Sequence, residues 1–460
     1  MKTHSQNATS CFFIRVKSIT VGKIPKRYAV MCSTQRDLEM HRRQNRTCTY
    51  FPSPPLQTPL QTPIQKDHST SQYIITAYLK TPLMPTKLVL DLGATYSWVN
   101  CDDYISSTYQ HVPCNSSISN SLSGYGCEDI CDGPPGPNCA NNSFLFIPNN
   151  PIKPVDYKKV NGLNDALVDY LALLNNLGSL SSIDNFIFSC ARTGFLKGLA
   201  KGVTGLASLG NSNLSIPVQI NKAFSSSPNC FAMCLSGSIS QPGVALFGSK
   251  GPYNFLHGID LSKSLLYTPL IFNPFGKDFD PYSHRSPEYY VGLTSIKVNG
   301  KMVAFNKALI STVVPYTKLQ SSIYKAFTLA FLKEAASSAF NLTTTKPVKP
   351  FRVCYPAGAV KTTQMGPAVP IIELVLDRQD VVWKMFGSNS MVRVTKKSVD
   401  VWCLGFVDGG IDGPSIMIGG LQLEDNLLQF DLQSQKLGFS SSILSKGTNC
   451  ADYEFPTRKV

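Results

Sequence analysis

The segment LVLDLGATYSWV, residues 88–99, ends an apolar, β-branched run with Asp91 and interrupts the run with Gly93. Hydroxyl side chains and Trp98 follow the interruption. The run predicts a buried strand, and the aspartate and glycine at its end predict a turn. A carboxylate on such a turn faces a cleft and is not buried in the hydrophobic core. Asp91 is therefore the first candidate site residue.

The length and composition indicate an all-β protein with two domains. The chain has 460 residues, which exceeds the size at which single hydrophobic cores stop growing. Charged residues make up 16% of it, and its 32 glycines and 31 prolines favour many turns between short runs rich in valine, isoleucine, phenylalanine and tyrosine. No apolar run is long enough to span a bilayer, so we expect no membrane partner.

The net charge of +14 is concentrated at the N-terminus. Residues 1–66 hold 11 Lys/Arg and two acids, which accounts for +9 of the total. The remaining positive charge is spread thinly and does not alternate with aromatic residues, as it does in nucleic-acid-binding surfaces. We therefore expect no nucleic-acid partner, and a mildly basic protein that meets acidic wall polymers fits the pattern better.

Fourteen cysteines without zinc-ligand spacing predict disulfide bonds, and neither a metal nor another cofactor is expected. Their connectivity stays open. Eleven of them follow residue 66, so at least one is unpaired or pairs with Cys11, Cys32, Cys48 or another chain. Candidate glycosylation sites in the same part of the chain are Asn115, Asn141, Asn213 and Asn341.

The first 50 residues differ from the rest, being rich in serine, threonine and arginine and poor in acids. They contain no apolar stretch of the length that a secretory signal needs. A wrong start of translation, an unusual signal and an organelle-targeting segment remain as alternatives. The prolines of residues 51–66 predict an extended linker. We place the domain boundaries at 1–62 for the N-terminal segment and linker, 63–255 for a first lobe and 256–460 for a second.

Several strings of sequence carry a resemblance to a known family. They are DLG at 91–93, STVVPYT at 311–317, GSNSMV at 387–392, WCLGFVDGG at 402–410, IGG at 418–420 and LEDNLLQFD at 423–431. From about residue 63 onward the chain resembles pepsin-like aspartic peptidases. It resembles in particular the plant group of xylanase inhibitors, endoglucanase inhibitors, extracellular dermal glycoproteins and basic 7S globulins. The resemblance implies an all-β, bilobal, pepsin-like double β-barrel with short helices and a central cleft. It also makes Cys230 look like an extra cysteine.

Pepsin-like peptidases use two aspartates that share a proton. The string ALISTV, residues 308–313, occupies the place of the second catalytic loop, and Ser311 stands where the second aspartate is expected. A hydroxyl is far too weak an acid to take over that role, and Val313 replaces a glycine. The resemblance therefore implies an inactive homologue in which Asp91 is a vestige, capped by Thr95 or by neighbouring amides. A nucleophilic role for Ser311 is disfavoured, because the chain lacks the Gly-x-Ser-x-Gly pattern around it.

The family's inhibitors insert side chains from loops of the second lobe into microbial glycoside hydrolases. Basic side chains suit such clefts, which hold paired carboxylates. The candidates are His284, Arg285, Lys346, Lys349 and Arg352. Residues 411–414 lack the arginine found in glucanase-inhibiting relatives, which weighs against an endoglucanase target.

The function expected from the resemblance is a secreted inhibitor of a microbial xylanase or endoglucanase in plant defence. Alternatives are a functional aspartic endopeptidase and a storage or peptide-binding protein of the basic 7S type. The resemblance also allows a peptide hormone or a cell-wall polymer as the partner. Cysteine content and resemblance indicate an extracellular location, in the apoplast or cell wall.

Overall fold

The computed structural model divides the chain into two compact units, residues 1–57 and 58–460. It describes residues 30–31, 48–49, 59–122, 124–153, 162–225, 227–256, 259–272, 286–304, 307–396 and 398–456. In the first unit the described residues form a parallel pair of short strands, β1 (Val30–Met31) and β2 (Cys48–Thr49). The other strands and all helices described below belong to the second unit.

The N-terminal half of the second unit contains twelve strands and one α-helix among its described residues. The strands are β3 (Leu60–Lys66), β4 (Tyr73–Leu79), β5 (Met84–Asp91), β6 (Trp98–Asn100), β7 (Gln110–His111), β8 (Gly126–Glu128), β9 (Ser143–Phe146), β10 (Asn164–Leu174), β11 (Leu180–Ala191), β12 (Gly205–Ser208), β13 (Cys230–Cys234) and β14 (Gly243–Phe247). Helix α1 spans Ile216–Ala223 and begins with a proline in its first turn, where the missing N–H costs nothing.

The C-terminal half continues the same architecture. Its strands are β15 (Asn254–Leu256), β16 (Ile259–Asp260), β17 (Leu266–Ile271), β18 (Tyr289–Val298), β19 (Lys301–Ala304), β20 (Lys307–Ile310), β21 (Thr317–Leu319), β22 (Cys354–Pro356), β23 (Thr362–Thr363), β24 (Gly366–Pro367), β25 (Ile372–Leu376), β26 (Val382–Met385), β27 (Met391–Lys396), β28 (Val399–Leu404), β29 (Phe406–Asp408), β30 (Ile416–Ile418), β31 (Asn426–Asp431) and β32 (Lys436–Ser442). Its α-helices are α2 (Ser321–Ala335), α3 (Gly387–Ser390) and α4 (Gly420–Leu423).

Each half delivers one loop to the centre by the same device. Strand β5 runs parallel to β12, with Val89 opposite Leu206, and β20 runs parallel to β30, with Ile310 opposite Ile418. The apolar residues of β5 have no solvent exposure from Leu88 to Leu90 because strands and side chains cover both faces. The predicted buried strand before Asp91 is confirmed.

The two halves share a sheet in which neighbouring strands follow the order β3–β14–β13–β31–β32–β17. Across the junction, β13 pairs antiparallel with β31, and the rings of Phe231 and Phe430 stack with centroids 4.7 Å apart. Together with the barrel-like sheets on either side, this arrangement is the predicted all-β, pepsin-like architecture. The boundary between lobes at residues 255 and 256 stays a prediction.

Residues 60–66 do not belong to the linker that the prolines predicted. They form β3, in which Leu60 and Ile64 are buried and which pairs with β14 and β4. The prediction of an extended chain was correct, but its assignment as a linker was wrong. The apolar residues spaced through 60–64 favour burial in a sheet, and Pro63 is accommodated opposite Val244.

Five disulfides join the described cysteines: Cys101–Cys190, Cys114–Cys127, Cys131–Cys139, Cys234–Cys450 and Cys354–Cys403. Cys230 is the free cysteine among the described residues, and it is buried in β13. Burial raises the pKa of its thiol to about 12, so the thiol is protonated and inert at physiological pH.

Candidate central cleft

The loops that carry Asp91 and Ser311 are interlocked at the centre of the molecule. The hydroxyl of Thr312 donates to the carbonyl of Leu90 at 2.9 Å and accepts from the amide of Leu92 at 3.3 Å. Thr312 is 1% exposed, so both bonds are shielded from water. The structure therefore brings the two predicted loops together, with Asp91 and Ser311 next to this junction.

The side-chain hydroxyl that joins the two loops comes from the second loop only. Leu92 follows Asp91 as Thr312 follows Ser311, but a leucine side chain has no hydroxyl to return the hydrogen bonds. Leu92 is completely buried and packs in the main hydrophobic core. The first loop thus contributes apolar packing where the second contributes polar contacts.

Asp91 is a nearly buried carboxylate with one amide donor. Its Oδ1 accepts from the Gly93 amide at 2.7 Å, so the neighbouring amide provides the cap that was one of the two predicted alternatives. Burial raises the pKa of Asp91 from 3.8 to about 6, against the lowering effect of the Gly93 amide and with a smaller contribution from the charge of Glu288. Asp91 therefore exchanges its proton in the mildly acidic range.

Glu288 is a site residue that the sequence analysis missed. A β-carbon placed on Gly93 would lie 3.4 Å from Asp91 Oδ1 and 3.5 Å from Glu288 Cγ, so Gly93 lies between the two acids. Glu288 Oε2 accepts hydrogen bonds from the hydroxyls of Tyr290 at 2.7 Å and Ser286 at 3.1 Å. No motif marks Glu288; the available signal is its position between two hydroxyl residues at the start of β18.

The loop opposite Asp91 carries the hydroxyl of Ser311. The Ser311 amide donates to the carbonyl of Ile418 at 3.0 Å, which continues the β20–β30 pairing to the loop. Its side chain is 7% exposed. The acid near Asp91 is therefore Glu288, across Gly93, and position 311 carries no carboxyl.

Three of the five predicted inhibitory residues lie in the described loop that follows α2. Lys346, Lys349 and Arg352 are exposed. Arg352 forms an ion pair with Asp408 at 3.3 Å and lies over the ring of Tyr324, with its Cζ 5.8 Å from the centroid. His284 and Arg285 lie outside the described residues.

The loop at residues 409–413 extends from the same surface as Arg352. Asp408 accepts from the Ser321 hydroxyl at 2.6 Å and from the Gly410 amide at 3.1 Å, and these bonds, more than the charge of Arg352, lower the pKa of Asp408. Ile411 at the tip is 77% exposed. Tertiary structure therefore brings an exposed cation, paired with Asp408, to the base of the loop that carries an exposed apolar side chain.

The four candidate glycosylation asparagines, Asn115, Asn141, Asn213 and Asn341, are all exposed. The structure also contains a cavity of about 390 Å³ lined by Tyr109, His111 and the Cys131–Cys139 loop, and one of about 270 Å³ between Lys66, Tyr73, Arg393 and Glu424. Within the described part of the chain, no group of three or more His, Cys, Asp or Glu side chains could hold a metal ion. No described helix has the length and apolar character needed to cross a membrane.

Replacing Thr312 by valine should destabilise the protein by about 2–3 kcal/mol, because two buried hydrogen bonds are lost and the Leu90 and Leu92 backbone groups lose their shared side-chain partner. The free energy of unfolding in urea measures the effect. Thr312→Ser keeps the hydroxyl and should lose less. Equal losses in the two variants would contradict the assigned role of the hydroxyl.

Comparison with known proteins gives a family match for each half of the chain. The family model "Xylanase inhibitor N-terminal" matches residues 73–249, and "Xylanase inhibitor C-terminal" matches residues 288–441. The chain is 46% identical over 421 residues to "Probable aspartic proteinase GIP1" of Glycine max, covering 87% of this chain and 93% of that relative. It is 36% identical over 423 residues to "Gamma conglutin 1" of Prunus dulcis, covering 89% and 92%.

Solved structures agree with the sequence matches. The crystal structure of edgp superposes with a TM-score of 0.81 at 41% identity, covering 88% of this chain and all of that chain. An aspartic proteinase from Irpex lacteus superposes with a TM-score of 0.54 at 13% identity, covering 85% and 99%. This second similarity concerns the fold alone.

Proposed function

Because the chain belongs to the xylanase-inhibitor family of pepsin-like proteins, we propose that it is a catalytically inactive homologue that binds and blocks a microbial cell-wall glycoside hydrolase. The observation that carries the inactive half of this proposal is the Thr312–Leu90 hydrogen bond. This contact supports the interpretation that the 311–312 loop is the partner of the Asp91 loop, with Ser311 where the second acid is expected. Loss of one member of a catalytic unit typically costs several orders of magnitude in rate.

The binding half of the proposal rests on the surface formed by Arg352, Lys346, Lys349 and Ile411. Glycoside hydrolase clefts carry two carboxylates, which an arginine can bind through paired hydrogen bonds. Arg352 contacts Asp408 and Tyr324 in the free protein, and these contacts favour one orientation of a side chain that is otherwise exposed. The exposed Ile411 supplies an apolar contact beside this charge. A xylanase fits this surface better than an endoglucanase, since residues 411–414 contain no arginine.

We place the protein outside the cell, in the apoplast or cell wall. Five disulfides are typical of an oxidising compartment, and the four exposed asparagines are open to glycosylation. The division into lobes at 63–255 and 256–460 belongs to this proposal, with the partner-binding loops on the second lobe.

Glu288 favours the second candidate function, an aspartic-type endopeptidase. It supplies a carboxylate near Asp91 that does not come from position 311. The two hydroxyls that donate to this carboxylate come from its own segment, however, and position 311 carries no acid. A storage or peptide-binding role of the basic 7S type requires neither acid and is the third candidate.

The test uses the full chain secreted from a eukaryotic host and assayed at acidic pH. We expect inhibition of a fungal xylanase and no cleavage of a denatured protein substrate. Proteolysis that is blocked by a transition-state peptide inhibitor and lost in Asp91→Asn would establish the peptidase instead. A negative result in both assays would support the storage or peptide-binding role.

Replacing Arg352 by alanine should raise the inhibition constant for the xylanase about 10- to 100-fold, because a central charged contact is lost. Titration of xylanase activity with each variant measures this constant. Lys436→Ala removes an exposed cation from β32, far along the chain from the proposed surface, and should leave the constant unchanged. Equal inhibition by Arg352→Ala and the wild type would remove Arg352 from the proposed interface.

A further inference from the structure

Residues 286–290 fasten the start of β18 to the segment that follows β12. The Asn211 amide donates to the carbonyl of Pro287 at 2.7 Å, and the buried Tyr289 hydroxyl donates to the carbonyl of Leu209 at 3.0 Å. The fit is close, since a β-carbon on Gly210 would lie 3.0 Å from the Pro287 carbonyl oxygen. Two hydrogen bonds thus join the two halves of the chain here.

The same fastening adjoins the buried acid of the cleft. The Leu209 amide donates to the carbonyl of Asp91 at 2.8 Å, so the 209–211 segment connects directly to the Asp91 loop. Glu288 lies in the middle of the fastening residues and reaches Gly93 beside the Asp91 carboxylate. A charge on Asp91 therefore lies next to both partners of the 209–211 segment, namely the Asp91 loop and residues 286–290.

We propose that residues 286–290 form a pH-sensitive clasp, which holds the 209–211 segment while the buried carboxyl of Asp91 is protonated and loosens when that carboxyl ionises beside Glu288. Two negative charges in a site of low solvent access repel each other, and opening the clasp returns water to Asp91. The clasp is closed at mildly acidic pH and loosens towards neutral pH.

The charge balance of the clasp involves few groups. The described elements packed against Asp91 are its own loop, the 208–211 segment, the 311–312 loop and residues 286–290. The acids on these elements are Asp91 and Glu288, and the phenols are Tyr96, Tyr289 and Tyr290. From β20, Lys307 lies over the ring of Tyr290, with its Nζ 5.2 Å from the centroid, and brings a positive charge to the clasp. Tyr289 and Tyr290 donate hydrogen bonds to Leu209 and Glu288, and burial raises the pKa of Tyr289. His284 and Arg285 precede the clasp in the sequence, outside the described residues.

Hydrogen exchange of the full-length protein tests the clasp. Exchange rates of peptides covering residues 209–214 and 286–292 are divided by their intrinsic rates to give protection factors at about pH 5 and about pH 7.5. If opening restores the ordinary pKa of Asp91, protection should fall by up to about tenfold over this interval. A peptide covering residues 427–431 of β31 should show no such fall.

Three variants separate the clasp from a general effect of pH. Asp91→Asn should abolish the fall in protection. Glu288→Gln should reduce it, because repulsion is lost while burial of Asp91 remains. Glu454→Gln, which removes an exposed acid, should retain the full effect. Constant protection in the wild type, or a fall that persists in Asp91→Asn, would overturn the proposal.

Discussion

Removing the Cys234–Cys450 disulfide is expected to give the largest loss of stability. The bond joins residues 216 positions apart in the chain, and both cysteines are fully buried. The chain-entropy relation for a loop of this length predicts a loss of ~5 kcal/mol in the free energy of unfolding, because the reduced unfolded chain gains the freedom that the bond denied it. Urea unfolding of the variant Cys234→Ala/Cys450→Ala measures this loss.

The Cys131–Cys139 disulfide provides the matched control, since it spans only eight positions. The same relation predicts a loss of ~2.5 kcal/mol for Cys131→Ala/Cys139→Ala. The difference between the variants tests the role of loop length. If the short-range disulfide cost as much as the long-range one, closure of the chain would not explain the stability.

Replacing Asp91 by asparagine should make the protein more stable at neutral pH. The folded-state pKa of Asp91 is about 6, raised chiefly by burial from 3.8. Between these two values the folded chain holds a proton that the unfolded chain releases, so wild-type stability falls as the pH rises through this window. The shift corresponds to ~3 kcal/mol above pH 6, a penalty that a neutral amide does not have.

Urea unfolding of the wild type and of Asp91→Asn at about pH 3, 5 and 7 tests this expectation. The two proteins should agree most closely at the lowest pH and diverge up to pH 6, with asparagine still able to accept from the Gly93 amide. Asp184→Asn replaces an exposed aspartate of β11 and serves as the control. A stability difference between wild type and Asp91→Asn that does not change with pH would show that Asp91 ionises normally in the folded protein.

Local sequence was sufficient to predict much of the architecture. The apolar run before Asp91 predicted β5. The Asn299-Gly300 pair is a typical sequence for a two-residue turn, and both residues have positive φ there, at 47° and 83°. The apolar residues after Ser321 have helical spacing, and α2 spans Ser321–Ala335. These features depend on periodicity and on backbone preferences of single residues, which are properties of neighbouring positions.

The sequence by itself determined the family, the all-β fold and the absence of a carboxyl at position 311. Tertiary structure alone decided that Thr312 forms a hydrogen bond with Leu90, that Glu288 approaches Gly93 beside Asp91, and that Arg352 pairs with Asp408 before the loop that carries Ile411. These contacts join residues that are separated by 56 to 222 positions in the chain. The pKa of Asp91 also belongs to this second group, because the burial that raises it comes from chain segments on both sides of the cleft.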